Sequence, residues 1–412
     1  MEGDRRRVLV LAYYFPPVGG AGVQRTLKFV KYLVPLGWVA TVVSTRSRAY
    51  AARDASLVAE VPPEVRVTRT PALPLARYLG IVLYRLRLMR VRAFVLWPDG
   101  GLGWMPFAFL AAMRAVRRDR PDALFSTSAP YGSHLVALAV ARLTGLPWVA
   151  EFRDEWAANP YLSGQPRLLA RLSTRAELAI TSRATRVVVA ADYFRLAGLP
   201  ADDPRRVEIV NGVDEADVPK QPEAPRADRC VLAHVGSIYE IRDPSPALRA
   251  LAKLVADGAI PGDRVEVRLV GNLWIPGFTP PPGIEVTTTG YVEHARAVEE
   301  MTAATVLLLY IAPGDLAPSG KLFEYLASGR PVLCLAPSDN LASRLVEEWG
   351  AGIVSEPDDE TAIGQAIVEL WRRWEADGLP DQANVRARAL ESYSRRANAE
   401  RLARVLEEAR GG

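Results

Sequence analysis

Cysteine and histidine are scarce in this chain, whose 412 residues include two cysteines and three histidines. Cys230 and Cys334 form no Cys-x-x-Cys pair, which excludes a disulfide framework and a cysteine-ligated zinc site. No run of about 18 apolar residues occurs, and the apolar stretch 8–15 lacks the length and the cleavage site of a signal peptide. The sequence therefore predicts a cytoplasmic protein without a membrane-spanning helix.

Lysine is also rare, with five lysines among the 51 basic residues, but the rest of the composition is that of a folded protein. Apolar residues make up 49% and charged residues 24%, which leaves no room for a long disordered region. At about 100–200 residues per domain, the length predicts two or three domains.

Acidic residues are outnumbered by basic residues in the first half of the chain. Through residue 215 there are 30 Lys and Arg against 18 Asp and Glu, and the remainder has 21 against 29. The two parts therefore carry +12 and −8, although the whole chain carries only +4. Such asymmetry indicates that the first half meets an anionic partner, such as a membrane surface, a nucleic acid or a phosphorylated substrate. Solvated arginine is the alternative.

Apolar runs of strand length alternate with stretches of helical periodicity along the chain. The run 7–12, the helical pattern 23–36 and the run 38–44 form a first β-loop-α-β unit. This alternation stops at a proline-containing linker, 218–229, and then restarts. It predicts an α/β fold with two Rossmann-like domains, whose parallel sheets have their carboxyl edges facing a cleft between the domains. We expect domains at 1–215 and 216–395, followed by an amphipathic helix at 396–412.

A loop with three glycines, Gly19, Gly20 and Gly22, lies between the first strand and the first helix. Glycine lets the backbone approach a ligand, and the free amides at a helix start favour an anionic group. The loop is a poor dinucleotide fingerprint because Arg25 occupies the third glycine position, which argues against an NAD enzyme. A tight turn without a ligand is the alternative.

The segment 318–331 contains a short helix with charged residues on one face. Ser319 can cap this helix, and Lys321 and Glu324 are three residues apart. A phosphate at its start would meet the amides of Gly320 and Lys321 and the lysine ammonium, and Glu324 could accept hydrogen bonds from a ribose diol. A surface ion pair is the alternative.

Six short motifs occur in an order that resembles family 4 glycosyltransferases over essentially the whole chain. They are the Gly19-Gly20 loop, Asn211-Gly-Val-Asp214, Val235-Gly-Ser237, Leu269-Val-Gly271, Thr289-Gly-Tyr-Val292 and Phe323-Glu-Tyr-Leu-Ala-Ser-Gly-Arg-Pro-Val332. The resemblance implies the GT-B fold and a nucleotide-sugar donor held mainly by the second domain. It also implies transfer with retention at the anomeric carbon, and a C-terminal helix that crosses back to the first domain.

The resemblance assigns roles to several residues of the second domain. Glu324 matches the second glutamate of the family's Glu-x7-Glu motif, which implies contact with the ribose hydroxyls. Leu316 stands where the first glutamate is expected, and the neighbouring Asp315 is the candidate for that sugar contact. Tyr291 and Val292 match positions where the base packs against the loop backbone, as does Gly271. A strand-end glycine and a core residue are the alternatives there.

The basic pair that the family places after the first strand of the second domain is altered. Ser237 follows Gly236 where an arginine is usual, and Arg242 is the cation that lies close by in sequence. We hypothesise that Arg242 and Lys321 together neutralise the diphosphate of the donor, because arginine offers a planar fork and lysine a point charge.

In the first domain, three polar residues follow predicted strands. His134 starts a helix, and a subset of bacterial family 4 sequences has a similar histidine, which implies contact with the donor sugar or the leaving oxygen. A capping or core histidine is the alternative. Arg153 and Asp154 end another strand of the same sheet and are candidates for acceptor or donor-sugar contacts, with an ion pair as the alternative.

The chain has no Asp-x-Asp pattern, so the sequence predicts neither a metal site nor a cofactor apart from the donor substrate. Cations and helix amides would stabilise the leaving diphosphate instead. The resemblance implies front-face attack, in which the leaving phosphate takes the acceptor's proton. We assign catalytic roles to His134, Lys321, Arg242 and Asp154. The alternatives are a sugar-nucleotide epimerase or hydrolase on the same fold, and a non-catalytic nucleotide-sugar-binding protein.

The stretch 78–97 interleaves apolar residues with Arg85, Arg87, Arg90 and Arg92. This pattern is typical of a helix that lies on an anionic bilayer, and a cleft-lining or core-packed helix is the alternative. On the membrane interpretation the protein is peripheral at the inner face of the membrane. The hydroxyl acceptor is then lipid-linked or membrane-adjacent, as for bacterial cell-wall and polysaccharide glycans. Nucleic-acid binding is not expected, because the basic residues lack interleaved aromatic residues.

Overall fold

The computed structural model describes residues 5–46, 53–73, 75–159, 162, 164–219, 226–312, 320–376, 379 and 382–411. Two predicted site residues, Asp315 and Ser319, lie outside these ranges, as does Leu316. The chain divides into two compact units, Met1–Val210 with Arg395–Gly412, and Asn211–Ser394.

The first unit is built on a parallel sheet of seven strands in the order β3-β2-β1-β4-β5-β6-β7. The strands are β1 (Arg6–Leu11), β2 (Trp38–Thr45), β3 (Arg66–Thr70), β4 (Ala123–Thr127), β5 (Trp148–Phe152), β6 (Arg186–Val189) and β7 (Arg206–Glu208). The helices are α1 (Ala21–Leu33), α2 (Leu75–Arg85), α3 (Met89–Leu96), α4 (Met105–Asp119), α5 (Gly132–Thr144) and α6 (Arg167–Arg183). The central strands are continuous apolar runs, as expected where helices cover both faces of a sheet. From β1 the chain adds strands first on one side, β2 and β3, and then on the other side, beginning with β4, so the strand order reverses between β1 and β4.

The second unit repeats this plan with six parallel strands in the order β12-β10-β8-β13-β14-β15. They are β8 (Cys230–Val235), β10 (Val265–Val270), β12 (Glu285–Gly290), β13 (Val306–Tyr310), β14 (Val332–Leu335) and β15 (Gly352–Ser355), and a small parallel pair is formed by β9 (Ile238–Tyr239) and β11 (Leu273–Trp274). The helices are α7 (Ser245–Ala256), α8 (His294–Ala303), α9 (Gly320–Ser328), α10 (Leu341–Glu348), α11 (Glu360–Glu375) and α12 (Ala383–Ser392). One apolar cluster packs on each face of the sheet. Here the order reverses between β8 and β13.

A last helix, α13 (Arg395–Gly411), belongs to the first unit. Its apolar face, which includes Leu402 and Leu406, joins the same core cluster as Leu27 of α1. The Asn398 side chain donates a hydrogen bond from Nδ2 to the Val210 carbonyl at 2.9 Å. The first unit is therefore completed by a segment that follows the second unit in the chain.

The basic stretch 78–97 forms two helices rather than one. α2 and α3 are joined by a turn in which the Leu88 amide donates to the Leu83 carbonyl at 2.8 Å and Arg87 has a φ of 56°. Within the part of the chain that the structure describes, no helix combines the length and apolarity needed to cross a membrane.

Candidate functional site

The strand order of the second unit determines where a ligand can bind. β8 lies between β10 and β13, so the loops that follow β8 and β13 diverge to opposite sides of the sheet. Ligands of open parallel sheets bind in the crevice at the carboxyl ends of the strands on either side of such a reversal. Gly236 directly follows β8, and α9 is the next described element after β13.

Gly236 and Lys321 are in close contact at this position. Gly236 has a φ of +143°, and its amide donates to the Val270 carbonyl at 2.6 Å. A Cβ atom at Gly236 would overlap both Nζ and Cε of Lys321. Glycine is favoured here by its positive φ, and any larger residue would displace the end of the Lys321 side chain from its position against Gly236.

The floor of the site is backbone from adjacent loops. Gly271 follows β10 with a φ of +127°, and a Cβ there would come within 2.6 Å of the Gly236 carbonyl group. The Gly271 amide donates to Thr289 Oγ1 at 3.3 Å, and the Ile238 amide donates to the Asn272 carbonyl at 2.9 Å. The two glycines thus let loops after neighbouring strands pack backbone against backbone, next to half-buried Ser237.

The electrostatic state of Lys321 is unusual. Burial, together with the smaller effect of the Arg242 charge, lowers the pKa of its ammonium to about 8, and the carboxylate of Glu324 acts in the opposite direction. Lys321 and Arg242 are therefore close enough to repel each other. A bound anion would favour both charges, and the amides in the first turn of α9, from Gly320 onward, add to the positive potential. This arrangement can hold a phosphate or diphosphate.

Two buried residues that the sequence analysis did not identify as site residues connect the elements around Lys321. The Tyr325 hydroxyl accepts a hydrogen bond from the Val235 amide at 2.7 Å and fixes α9 to the end of β8. His234 Nδ1 lies 2.8 Å from the Leu308 carbonyl. Burial, followed by the charge of Lys321, holds the pKa of His234 well below its usual range, so the ring is neutral. A lone histidine within an apolar strand was the available signal for it.

Glu324 lies further along α9 and lines a small pocket with a volume of about 20 Å³. Asp214 of the Asn-Gly-Val-Asp motif and Asp217 line it too, as does His294, whose Nε2 is 3.0 Å from Asp217 Oδ2. Of the two residues predicted to pack on the base, Tyr291 is half-buried, and Val292 packs against the apolar core. These are the contacts expected of Val292 if it is a core residue, which was the alternative to a role in packing against the base.

In the first unit, Arg153 is occupied by the protein itself. Its guanidinium donates to the carbonyls of Ser128, of Gly22 at 2.6 Å and of Ala129 at 2.9 Å. Burial lowers its pKa. Arg153 thus has a structural role, joining the first turn of α1 to the loop after β4, and its contact with a ligand stays a prediction. Asp154 beside it is exposed, as is Gly20, while Gly19 is half-buried.

His134 has no exposed surface and has the contacts of a core histidine. Its Nδ1 lies 2.8 Å from Ser126 Oγ, and that oxygen also accepts a hydrogen bond from Trp148 Nε1 at 2.8 Å. The Phe152 ring centroid is 4.6 Å from that of the imidazole. The structure of this unit therefore agrees with the core alternative rather than with direct contact to a sugar.

The burial of His134 predicts a loss of stability in mild acid. Burial lowers its pKa to about 3, whereas an unfolded chain binds the proton near pH 6.5. The free energy of unfolding therefore has its full value above pH 6.5 and declines as pH falls toward 3. The decline amounts to about 2 kcal/mol between pH 6.5 and 5. Urea unfolding of the first unit at both pH values should show this slope in the wild type and a smaller one in His134→Gln. Equal slopes would contradict the prediction.

Gly236→Ala should damage both folding and ligand binding, because the added methyl group displaces Lys321 and strains the backbone. We expect the second unit to lose about 2–3 kcal/mol of stability and most of its affinity for a phosphate or diphosphate ligand, with a nucleoside diphosphate as the probe. Gly277→Ala is the matched control, since Gly277 has a φ of +71° with open space around its Cβ position. It should lose about 1 kcal/mol and bind nucleotide normally. Thermal melts and nucleotide titrations on both variants test this, and equal affinities would refute it.

No protein-family model matches the sequence, and no curated protein matches it. Solved structures match over nearly the whole chain at low identity. Sucrose-phosphate synthase from Thermosynechococcus elongatus is 16% identical, with a TM-score of 0.64 and 98% of each chain covered. Anabaena HepE in complex with UDP and glucose is 14% identical, with a TM-score of 0.65 and coverage of 98% of this chain and 99% of HepE.

A third match is a Listeria monocytogenes protein described as a UDP-N-acetylglucosamine 2-epimerase. It is 11% identical, with a TM-score of 0.55, and the match covers 97% of this chain and 95% of that protein. At these identities the matches show the fold. The predicted α/β architecture of two parallel, Rossmann-like sheets, known as GT-B, is confirmed.

Proposed function

We propose that this protein is a retaining glycosyltransferase that moves a sugar from a nucleotide-diphosphate sugar to a hydroxyl acceptor. The observation that carries the proposal is the packing of Lys321 against Gly236 at the strand-order reversal of the second unit. The charges of Lys321 and Arg242 lie close enough to interact, so a bound anion would favour both, and backbone without side chains lets an anion approach. The complex of HepE with UDP and glucose supports this donor class.

In the proposed reaction, the bond between the anomeric carbon and the diphosphate oxygen breaks while the acceptor oxygen bonds to that carbon. Lys321 and Arg242 neutralise the charge that develops on the diphosphate, and the amides of Gly320 and Lys321 at the start of α9 add hydrogen bonds. The acceptor's proton passes to the leaving phosphate. Preorganised cations then do what a metal ion does in transferases with an Asp-x-Asp site.

We further propose that the second domain holds the donor and the first domain the acceptor. Glu324 contacts the ribose hydroxyls, Gly271 and Tyr291 face the base, and Asp154 is left to contact the acceptor or the donor sugar. Membership of family 4 and a role in bacterial glycan or glycolipid synthesis, at the cytoplasmic face of the membrane, complete the proposal. A lipid-linked acceptor suits that location.

A thermal-shift screen of nucleoside diphosphates and their sugars tests the donor class, because a ligand that binds only the native state raises the melting temperature. We expect a nucleoside diphosphate to raise it by several degrees and inorganic phosphate to do so weakly. Transfer of labelled sugar from the best donor to glycolipid acceptors then tests the activity. No shift with any nucleotide would refute the proposal.

A sugar-nucleotide epimerase is the second candidate, favoured by the match to the Listeria protein described as an epimerase. Incubation of the protein with labelled nucleotide-sugar and no acceptor separates the two. An unchanged donor fits a transferase, epimerised donor fits the alternative, and free sugar indicates a hydrolase. Binding without turnover under any condition fits a non-catalytic nucleotide-sugar-binding protein.

A further inference from the structure

The hairpin formed by α2 and α3 exposes an unusual amount of apolar surface. Tyr78 is 65% exposed, Tyr84 62% and Leu86 61%, and large apolar side chains on both helices are exposed with them: Leu79, Ile81, Val82, Leu88, Met89, Val91 and Phe94. α3 buries none of its residues. Exposed apolar patches of this extent mark interaction sites rather than ordinary surface.

The same hairpin carries positive charge without any negative charge. The sequence contains no Asp or Glu between Glu64 and Asp99. Arg85, Arg87 and Arg90 are exposed on the hairpin. The Arg92 guanidinium lies 5.7 Å from the Tyr84 ring centroid. Arginine heads and apolar side chains are therefore interleaved on one element.

The hairpin has an ordered geometry that presents this surface. A Cβ at Gly80 would come within 3.3 Å of the Leu96 side chain, so α2 and α3 cross closely at the glycine. Leu83 is buried, and the turn is closed by the bond from the Leu88 amide to the Leu83 carbonyl. With 11 residues, α2 is too short to span a bilayer and suits a position in the plane of its interface.

We propose that the α2–α3 hairpin docks the protein on an anionic lipid bilayer, with its apolar side chains in the interface and Arg85, Arg87 and Arg90 among the lipid headgroups. Charge complementarity favours this occupant. A second copy joined through the same face would bring arginine against arginine, with no acidic residue on the hairpin to neutralise them. This docking requires no nucleotide, so it stands or falls separately from the proposed transferase activity.

Vesicle co-sedimentation of the full chain tests the electrostatic part. We expect binding to vesicles of phosphatidylcholine with phosphatidylglycerol, little binding to phosphatidylcholine alone, and weaker binding as salt rises. Each basic side chain near an anionic surface strengthens binding about fivefold, so replacing all three of Arg85, Arg87 and Arg90 by Gln should weaken it about a hundredfold.

The matched control removes the same charge elsewhere in the first unit. Arg167, Arg171 and Arg175 are exposed on α6, and their replacement by Gln should leave most of the vesicle binding intact. If the two triple variants bind equally, or if the wild type does not distinguish neutral from anionic vesicles, the proposal is refuted.

A polarity-sensitive fluorophore tests insertion directly. Both native cysteines are buried, so Leu86→Cys offers a selective labelling site at the tip of the hairpin, and Leu168→Cys on α6 offers an exposed reference site. Anionic vesicles should blue-shift the label at position 86 and leave the label at 168 unchanged. A shift at position 86 that grows with protein concentration in the absence of lipid would instead assign the surface to self-association and overturn the proposal.

Discussion

Lys321→Met should stabilise the unliganded protein and at the same time weaken the proposed nucleotide binding. In the folded chain the pKa of Lys321 is about 8, against 10.5 for an unperturbed lysine. Below pH 8 the Lys321 side chain is protonated in both the folded and the unfolded chain. The folded chain then carries the full cost of desolvating that charge, up to about 3 kcal/mol. As pH rises from 8 to 10.5 the unfolded state binds the extra proton, and this cost disappears. The gain from Lys321→Met should therefore be present at pH 7 and absent near pH 10.5.

The same variant should bind nucleoside diphosphate about 10- to 100-fold more weakly, because a charge-assisted contact to phosphate is lost. In the wild type, affinity should fall as pH rises through about 8. Lys253→Met is the matched control, because the Lys253 side chain is 76% exposed. Among the described residues, its one ion pair is with Asp257, four residues further along the chain. It should change neither property. Unfolding at pH 7 and pH 10 with isothermal titration measures both, and a destabilised Lys321→Met that binds normally would overturn the assignment.

Arg25→Met should destabilise the first unit by about 3–5 kcal/mol. Arg25 Nε donates to Glu151 Oε1 at 2.6 Å, and the two side chains are 6% and 0% exposed. The same guanidinium donates to the carbonyls of Ile209 and Val210 at 2.6 and 2.7 Å. Removing it leaves the Glu151 carboxylate buried without its ion-pair partner and the Ile209 carbonyl without this donor, while Asn398 Nδ2 still donates to the Val210 carbonyl. Urea or thermal unfolding of the first unit measures the loss.

Two further variants distinguish this ion pair from ordinary surface charge. Arg249→Met breaks an exposed pair with Glu360 and should cost under about 1 kcal/mol. Arg25→Met combined with Glu151→Leu removes both buried charges and should be more stable than Arg25→Met alone. If the double variant is the less stable of the two, the unpaired carboxylate is not the source of the loss.

The strands of both sheets could be predicted where their sequences are continuously apolar. The predicted strand 38–44 corresponds to Trp38–Thr45, and 265–270 agrees with Val265–Val270. β3 escaped prediction because Arg66–Thr70 lies at the edge of the sheet and contains one apolar residue, Val67, and its first residue is exposed. The two helices in 78–97 could not be separated, because the left-handed turn at Arg87 has no glycine to mark it.

The site was less predictable than the fold because position in a strand does not give the direction or the partners of a side chain. Sequence order placed Arg153 at a strand end, but its three carbonyl partners come from loops more than 20 residues away, at Gly22, Ser128 and Ala129. Arg25 was noted only as a residue that spoils a glycine fingerprint, yet it forms a buried ion pair. The helix pattern predicted Lys321 as a site residue and the resemblance predicted Gly236, but neither gave the contact between them.

The return of α13 to the first unit has a consequence for synthesis on the ribosome. Residues 211–394 are translated between the body of the first unit and the helix that completes its core, a delay of roughly 10–40 s at about 5–20 residues per second. During this interval the face of α1 that carries Leu27 lacks the helix that covers it, whereas the second unit is complete in sequence before α13 is translated. The second unit is thus the one able to fold first, and the nascent first unit is a natural client for chaperones that bind exposed apolar helices.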